Sequence, residues 1–238
     1  MFGVYNVPFH LERDNISLEV ENRGDTVFYR RSQPGSLEKY LLVSKCRLQL
    51  SPVEPLHLPK IMTHNLMIEF NRPLLVESRE KRKIFLNVPL EIAVYLLSAK
   101  KETLPELADV FTLGTPKFTL YGNITNGILC KHYQSDIFAQ LPSDAPTPDR
   151  AWLQLTVHNS SPHWIQVTRT ILSAYAMKLY YDKEFVAMNM EMNLIDPSHA
   201  ETYAVDLPLR KGMQKAQEYF SSGRMQIGSH KFSMEWGL

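Results

Sequence analysis

Residues 66–97 read LMIEFNRPLLVESREKRKIFLNVPLEIAVYLL, the densest apolar patterning in the chain, interrupted by one charged run, ESREKRK. The period is two: Leu66, Ile68 and Phe70 fall on one face, and Met67 and Glu69 on the other. Branched and aromatic side chains dominate, and they suit a pleated, half-buried surface. Pro73 and Pro89 break any helix and stand where a sheet tolerates proline, at a strand start or bend. The stretch therefore predicts strands over 66–70, 74–76, 83–88 and 90–98, with residues 79–82 as a solvated hairpin tip.

Working outward, residues 1–60 read as a β-meander. Ile16, Leu18 and Val20 alternate with Ser17, Glu19 and Glu21, and Asn22-Arg23-Gly24-Asp25 supplies a turn. Residues 100–111 read as a polar connection with one helical turn, and 117–121 pairs with 127–133 as a hairpin. The run LPSDAPTPD at 141–149 carries three prolines and no periodicity, which marks a linker. Beyond it, Leu153, Leu155 and Val157 alternate with polar residues, and VAMNMEMNLI points Met188, Met190, Met192 and Leu194 one way. Leu209, Met213, Ala216 and Phe220 recur at helical spacing, with Pro208 in the first turn and Gly223 to end it, so one helix is predicted over 209–222.

The expected fold is all-β: antiparallel β-sandwich units with one short C-terminal helix. Its divisions are an N-terminal β-rich domain at 1–140, a Pro-rich linker at 141–149 and a C-terminal sandwich-like domain at 150–238.

At 238 residues, 44% hydrophobic and 21% charged, the chain is ordinary globular material with room for a sizeable core. A formal net charge of +1 creates no global field toward nucleic acid or an anionic membrane. The nearest basic and aromatic cluster, Lys131-His132-Tyr133, is too short for a nucleic-acid surface. No apolar run approaches the roughly 20 residues that span a bilayer. The start, MFGVYNVPFHLERD, lacks a basic region followed by an apolar segment, so a cytoplasmic protein without membrane insertion is expected. Cys46 and Cys130 sit in strand-like runs without partners at metal-ligand spacing and read as free thiols.

Compact chemistry is missing. His57 and His64, and His158 and His163, have no cysteine or carboxylate at ligand spacing, and no HExxH or CxxC occurs. There is no GxSxG elbow and no GxGxxG or Walker loop. No catalytic residue, metal or cofactor is therefore expected. Trp152, Trp164 and Trp236 leave carbohydrate binding open as a use of a β surface.

One residue resists a packing explanation. Glu91 stands in NVPLEIAVYLL, where both strand faces are apolar, which implies a strand covered on both sides. A carboxylate there is either at the exposed first turn or buried and paired. Lys131 and Arg169 are the candidate partners, because each interrupts its own apolar strand in the same way. Together with Tyr133 they form the expected binding set, lining a groove between sheets.

The segments MFGVY, PLHLPK, LMIEF, NVPLEIAVYL, LYGNITNGILCKHYQSD and LTVHNSSPHWIQV together resemble an archaeal family of uncharacterised proteins, domain of unknown function family 432. The resemblance covers most of the chain. It implies an archaeal, cytoplasmic protein and brings no activity, cofactor or catalytic residue with it. Two function classes follow. The first is a non-enzymatic protein-interaction or regulatory module, contacting a partner protein or a second copy. The alternative is a small-molecule or carbohydrate binder, or an enzyme, with a site of scattered residues in the interdomain groove. The missing catalytic motifs favour the first.

Overall fold

The computed structural model describes residues 1–43, 45–56, 62–98, 104–218 and 231–238. Among these the chain forms β1 (Gly3–Asn6), β2 (Phe9–Arg13), β3 (Ile16–Arg23), β4 (Thr26–Gln33), β5 (Leu37–Leu41) and β6 (Cys46–Val53). The middle contributes β7 (Asn65–Val76), β8 (Lys81–Pro89), β9 (Glu91–Ser98), β10 (Glu106–Phe111), β11 (Lys117–Tyr121) and β12 (Ile128–Ser135). Then come β13 (Arg150–Asn159), β14 (Ile165–Ser173), β15 (Tyr180–Tyr181), β16 (Val186–Leu194), β17 (Ala200–Val205), β18 (Gln214–Lys215) and β19 (Lys231–Met234). The one helical element among the described residues is a 3-10 turn at Ala174–Ala176. The fold is all-β.

The strands form four sheets. Sheet I runs β1-β6-β9-β10, and sheet II is the meander β2-β3-β4-β5. Sheet III runs β11-β12-β7-β14, and sheet IV runs β18-β15-β16-β13-β8, with β17 on β16 and β19 on β17. The alternation read from the sequence decides what lies between them. Ile16, Leu18, Val20 and Tyr29 of sheet II share one core with Leu48, Leu50, Ile92 and Val94 of sheet I. Leu66, Ile68 and Ile171 of sheet III share the other with Leu86, Leu153, Leu155 and Met190 of sheet IV. Burying such side chains contributes roughly 1.5–3 kcal/mol each, which makes these two cores the main favourable term of the fold.

Several expectations change. Residues 66–70 and 74–76 form one strand, β7, which runs through Pro73. Between Glu69 and Leu74 the register against β14 shifts, so no ladder hydrogen bond is asked of the proline. Residues 106–111, expected in a polar connection with a helical turn, are β10; residues 99–103 lie outside the described residues. The helix expected over 209–222 does not form over 209–218. Gly212 takes φ +91, which interrupts a helix, and the edge of β15 offers backbone partners to Gln214 and Lys215. Residues 219–222 lie outside the described residues. Met213 and Ala216 are buried by this docking, so the helical spacing reflects two anchor points on a sheet.

Not all pairing is antiparallel. β13 leads into β14 on the facing sheet before the chain returns as β16 in parallel with β13, and β12 likewise pairs in parallel with β7. Strands on either side of the Pro-rich run at 141–149 share sheets, since β8 pairs with β13 and β7 with β14. Sheets I and II take residues 3–53 and 91–111, and sheets III and IV take 65–89 and 117–234. One of the crossings between the two pairs of sheets falls at Leu90, between β8 and β9.

Candidate functional site

That crossing creates the site. β8 ends at Pro89 in sheet IV, Leu90 is buried, and Glu91 opens β9 in sheet I. The Leu90 N–H donates to the carbonyl of Asp149 at 2.7 Å, which fastens the crossing to the residue before β13. Its own carbonyl accepts the Thr112 hydroxyl at 3.4 Å, just beyond β10. Ends of β8, β9, β10 and β13 thus meet beside β12.

Lys131 stands on β12, opposite Leu66 of β7 and Phe118 of β11. Two residues back on the same strand face, Leu129 is exposed, whereas Lys131 is covered. Its ammonium donates to the carbonyl of Pro55 and lies 3.4 Å from Glu91 Oε1. The side chains are 7% and 2% exposed, so this is a buried ion pair linking sheet III to sheet I. Burial lowers the Lys131 pKa from its ordinary value, and the Glu91 charge and hydrogen bond oppose that shift without cancelling it.

Around the pair lies a cleft of about 80 Å³. Leu66, Pro89, Leu90 and Pro116 supply apolar wall; Lys117, Tyr133, Asp149 and Arg150 supply polar edge. The Arg150 guanidinium sits over the Tyr133 ring at 5.0 Å from its centroid, a cation–π contact that also fixes the direction of its donors. Tyr133 has its hydroxyl pKa raised, first by burial and also by the Asp149 charge, while Arg150 works the other way. Asp149 accepts the Thr147 hydroxyl at 2.7 Å, so this carboxylate is held by its own loop.

Three of the four residues singled out in the sequence, Glu91, Lys131 and Tyr133, come together at this cleft. Arg169 goes elsewhere. It is half-buried on β14 opposite Glu69, and its Nε–H donates to the Thr168 hydroxyl at 3.4 Å. Glu69 is also held by His132, whose Nε2 is 2.8 Å from its carboxylate, and that bond chiefly keeps the Glu69 pKa below the usual range. Asp149, Arg150, Thr112 and Pro55 belong to the cleft without having been singled out. They lie in or next to connections, and only the pairing of β8 with β13 and β6 with β9 brings them in.

The tryptophans divide: Trp152 is buried, its ring edge-on to Phe138, while Trp164 is 57% exposed. Among the described residues no group of three His, Cys, Asp or Glu side chains could hold a metal ion. Also among these residues, no helix is long and apolar enough to cross a membrane.

A family model described as protein of unknown function, DUF432, matches residues 1–235 of the chain. No curated protein and no solved structure matches it.

Proposed function

The chain belongs to the DUF432 family, and from the chemistry of its cleft we propose that it binds a small organic anion there. The observation that carries this reading is the Lys131–Glu91 pair, buried yet bordering an open cleft. Well-packed apolar residues commonly replace a buried ion pair with no loss of stability, so packing alone does not call for one at this place. Arg150 and Lys117 at the edge suit a carboxylate or phosphate, which an arginine engages through two parallel hydrogen bonds. The leucine and proline walls suit a short hydrocarbon or ring portion. The reading is of a cytoplasmic protein whose paired sheets act as two sandwich units around this groove.

Calorimetric titration with a panel of small mono- and dicarboxylates, against their amides, tests the reading. A carboxylate should bind while its amide does not, and Arg150→Ala should weaken it at least tenfold. Binding by neither, or equal binding by the variant, would remove the proposal.

A second reading, the protein-interaction module, draws on the β11–β12 hairpin, where Leu120, Ile124 and Leu129 are exposed. A stoichiometric protein recovered from native lysate, and lost on Ile124→Asp, would favour it.

A further inference from the structure

The buried amine can do more than attract a charge. We infer that Lys131 condenses with a ligand that carries an aldehyde or ketone beside its acid group, forming a reversible imine in the cleft. This inference rests on the reading of the cleft as an organic-anion site and narrows the ligand to a small oxo acid.

Three observations support it. The first is contrast among lysines. Lys178, Lys215 and Lys231 hold carboxylate partners at more exposed positions, between 2.6 and 3.0 Å. Among the described residues Lys131 is the one buried lysine, it borders a cleft, and burial favours its neutral form, the form that attacks a carbonyl. The second is Glu91, whose Oε1 at 3.4 Å from the amine is placed to take its proton and return it. The third is Arg150, on the edge of the same cleft, which can hold the acid group of the ligand.

The step balances without a redox partner. Glu91 takes a proton from the ammonium, and the nitrogen lone pair forms a bond to the carbonyl carbon while the carbonyl π electrons move to oxygen. The attacking nitrogen passes one proton to that oxygen, Glu91 returns its proton to the resulting hydroxyl, and the nitrogen lone pair expels water, leaving a protonated carbon–nitrogen double bond and the Glu91 carboxylate. The reverse, addition of water, frees the ligand. The competing role for the pair is a clamp between β9 and β12 with no chemistry, and it predicts no covalent product.

Glyoxylate and cyanoborohydride test the difference on the full chain, read by intact mass and peptide mapping. The expected result is one reduced carboxymethyl group on Lys131, saturable with glyoxylate and suppressed by excess oxalate. Lys131→Arg keeps a cation beside Glu91 but cannot condense, so it should gain nothing at that position. Glu91→Gln should slow labelling at least tenfold. Label confined to exposed lysines, with Lys131 unmodified, overturns the inference. If oxalate still binds in calorimetry in that case, only the imine is lost; if oxalate and the other acids all fail to bind, the organic-anion reading has failed first.

Discussion

Lys131 Nζ lies 3.4 Å from Glu91 Oε1, forty residues apart in sequence and on strands of different sheets. The pair ties β12 to the first residue of β9, where the chain crosses from one pair of sheets to the other. Removing one partner leaves the other charge buried, so Glu91→Leu or Lys131→Met should each destabilise by about 3 kcal/mol. The double variant Glu91→Leu with Lys131→Met should recover most of that loss. A urea double-mutant cycle measures the coupling; purely additive costs would show the two charges to be independent.

The methionine strand offers a cleaner contrast between faces. Met188, Met190 and Met192 of β16 are buried in the core shared by sheets III and IV, whereas Glu191 is half-buried and faces outward. Met190→Lys should therefore cost several kcal/mol. Glu191→Lys loses the hydrogen bond from the Tyr203 hydroxyl, 2.5 Å away, and should cost only about 1 kcal/mol. Equal unfolding midpoints for the two variants would contradict this assignment of faces.

The same strand shows how far the sequence can be read. Its inward set followed from alternation alone, because the face buried against sheet III is continuous. Its outward set was only partly legible. Asn189 looks like an exposed residue by pattern but is buried, accepting from Gln154 at 3.0 Å and donating to the Leu207 carbonyl at 2.8 Å. The segment that covers it returns from elsewhere in the chain. Glu91 and Lys131 were legible for a related reason: a charge inside an apolar strand is a local anomaly that needs no knowledge of topology. Arg169 carries the same anomaly, yet the register of β14 sets it opposite Glu69. Asp149 and Arg150 were hidden because their place depends on the antiparallel pairing of β8 with β13, and the prolines beside them reported only a loop.

The two thiols should differ in reactivity. Cys130 is fully buried, and burial pushes its pKa up to about 12; Cys46 is shifted up by burial as well but remains partly accessible. A disulfide reagent at neutral pH should titrate Cys46 in the native protein, and Cys130 only on unfolding. The sign of the linkage follows from the raised value. The contribution of Cys130 is complete below the unfolded thiol pKa of about 8.5, and stability declines as pH rises from there toward 12, because the unfolded chain releases a proton that the folded one retains. Replacing Cys130 with Ala should flatten that decline, and an unchanged alkaline slope would count against this origin for it.

Asn159 closes the β13 end of the core. Its Nδ2 donates to the carbonyls of Val76, Glu77 and His163 at 3.2, 3.1 and 2.8 Å, and its Oδ1 accepts from the N–H and hydroxyl of Ser161. The side chain is fully buried. Asn159→Asp turns the donor toward three carbonyls into an acceptor, and should cost about 3 kcal/mol or more. Asn159→Ser should cost less, since a hydroxyl keeps one donor. Chemical denaturation of both variants gives the ranking, and an Asp variant as stable as the Ser one would refute this role for the amide.

Two glycines with similar backbones separate conformational strain from close contact. Gly122, in the β11–β12 turn, has φ +103, and Gly212 has φ +91. Both lie where an L side chain is strained, so alanine at either should cost roughly 1 kcal/mol from the backbone alone. At Gly212 an added Cβ meets nothing within 4 Å, whereas at Gly122 it would sit 2.7 Å from the Trp236 indole. The segment that carries the indole is held in place: the backbone N–H of Trp236 donates to the Tyr121 hydroxyl at 3.0 Å, and the Tyr121 hydroxyl donates to the Gly237 carbonyl at 3.0 Å. Its ring also meets Tyr121 edge-on at 5.5 Å. Gly122→Ala should therefore cost about 2–3 kcal/mol, twice or more the loss at Gly212, and should red-shift tryptophan emission as the indole is displaced. In a Trp236→Ala background most of the excess should vanish, leaving the backbone cost and the closer approach to Gly127 Cα at 3.2 Å. If Gly122→Ala stays no more costly than Gly212→Ala with Trp236 present, the C-terminal segment does not dock on this turn in solution.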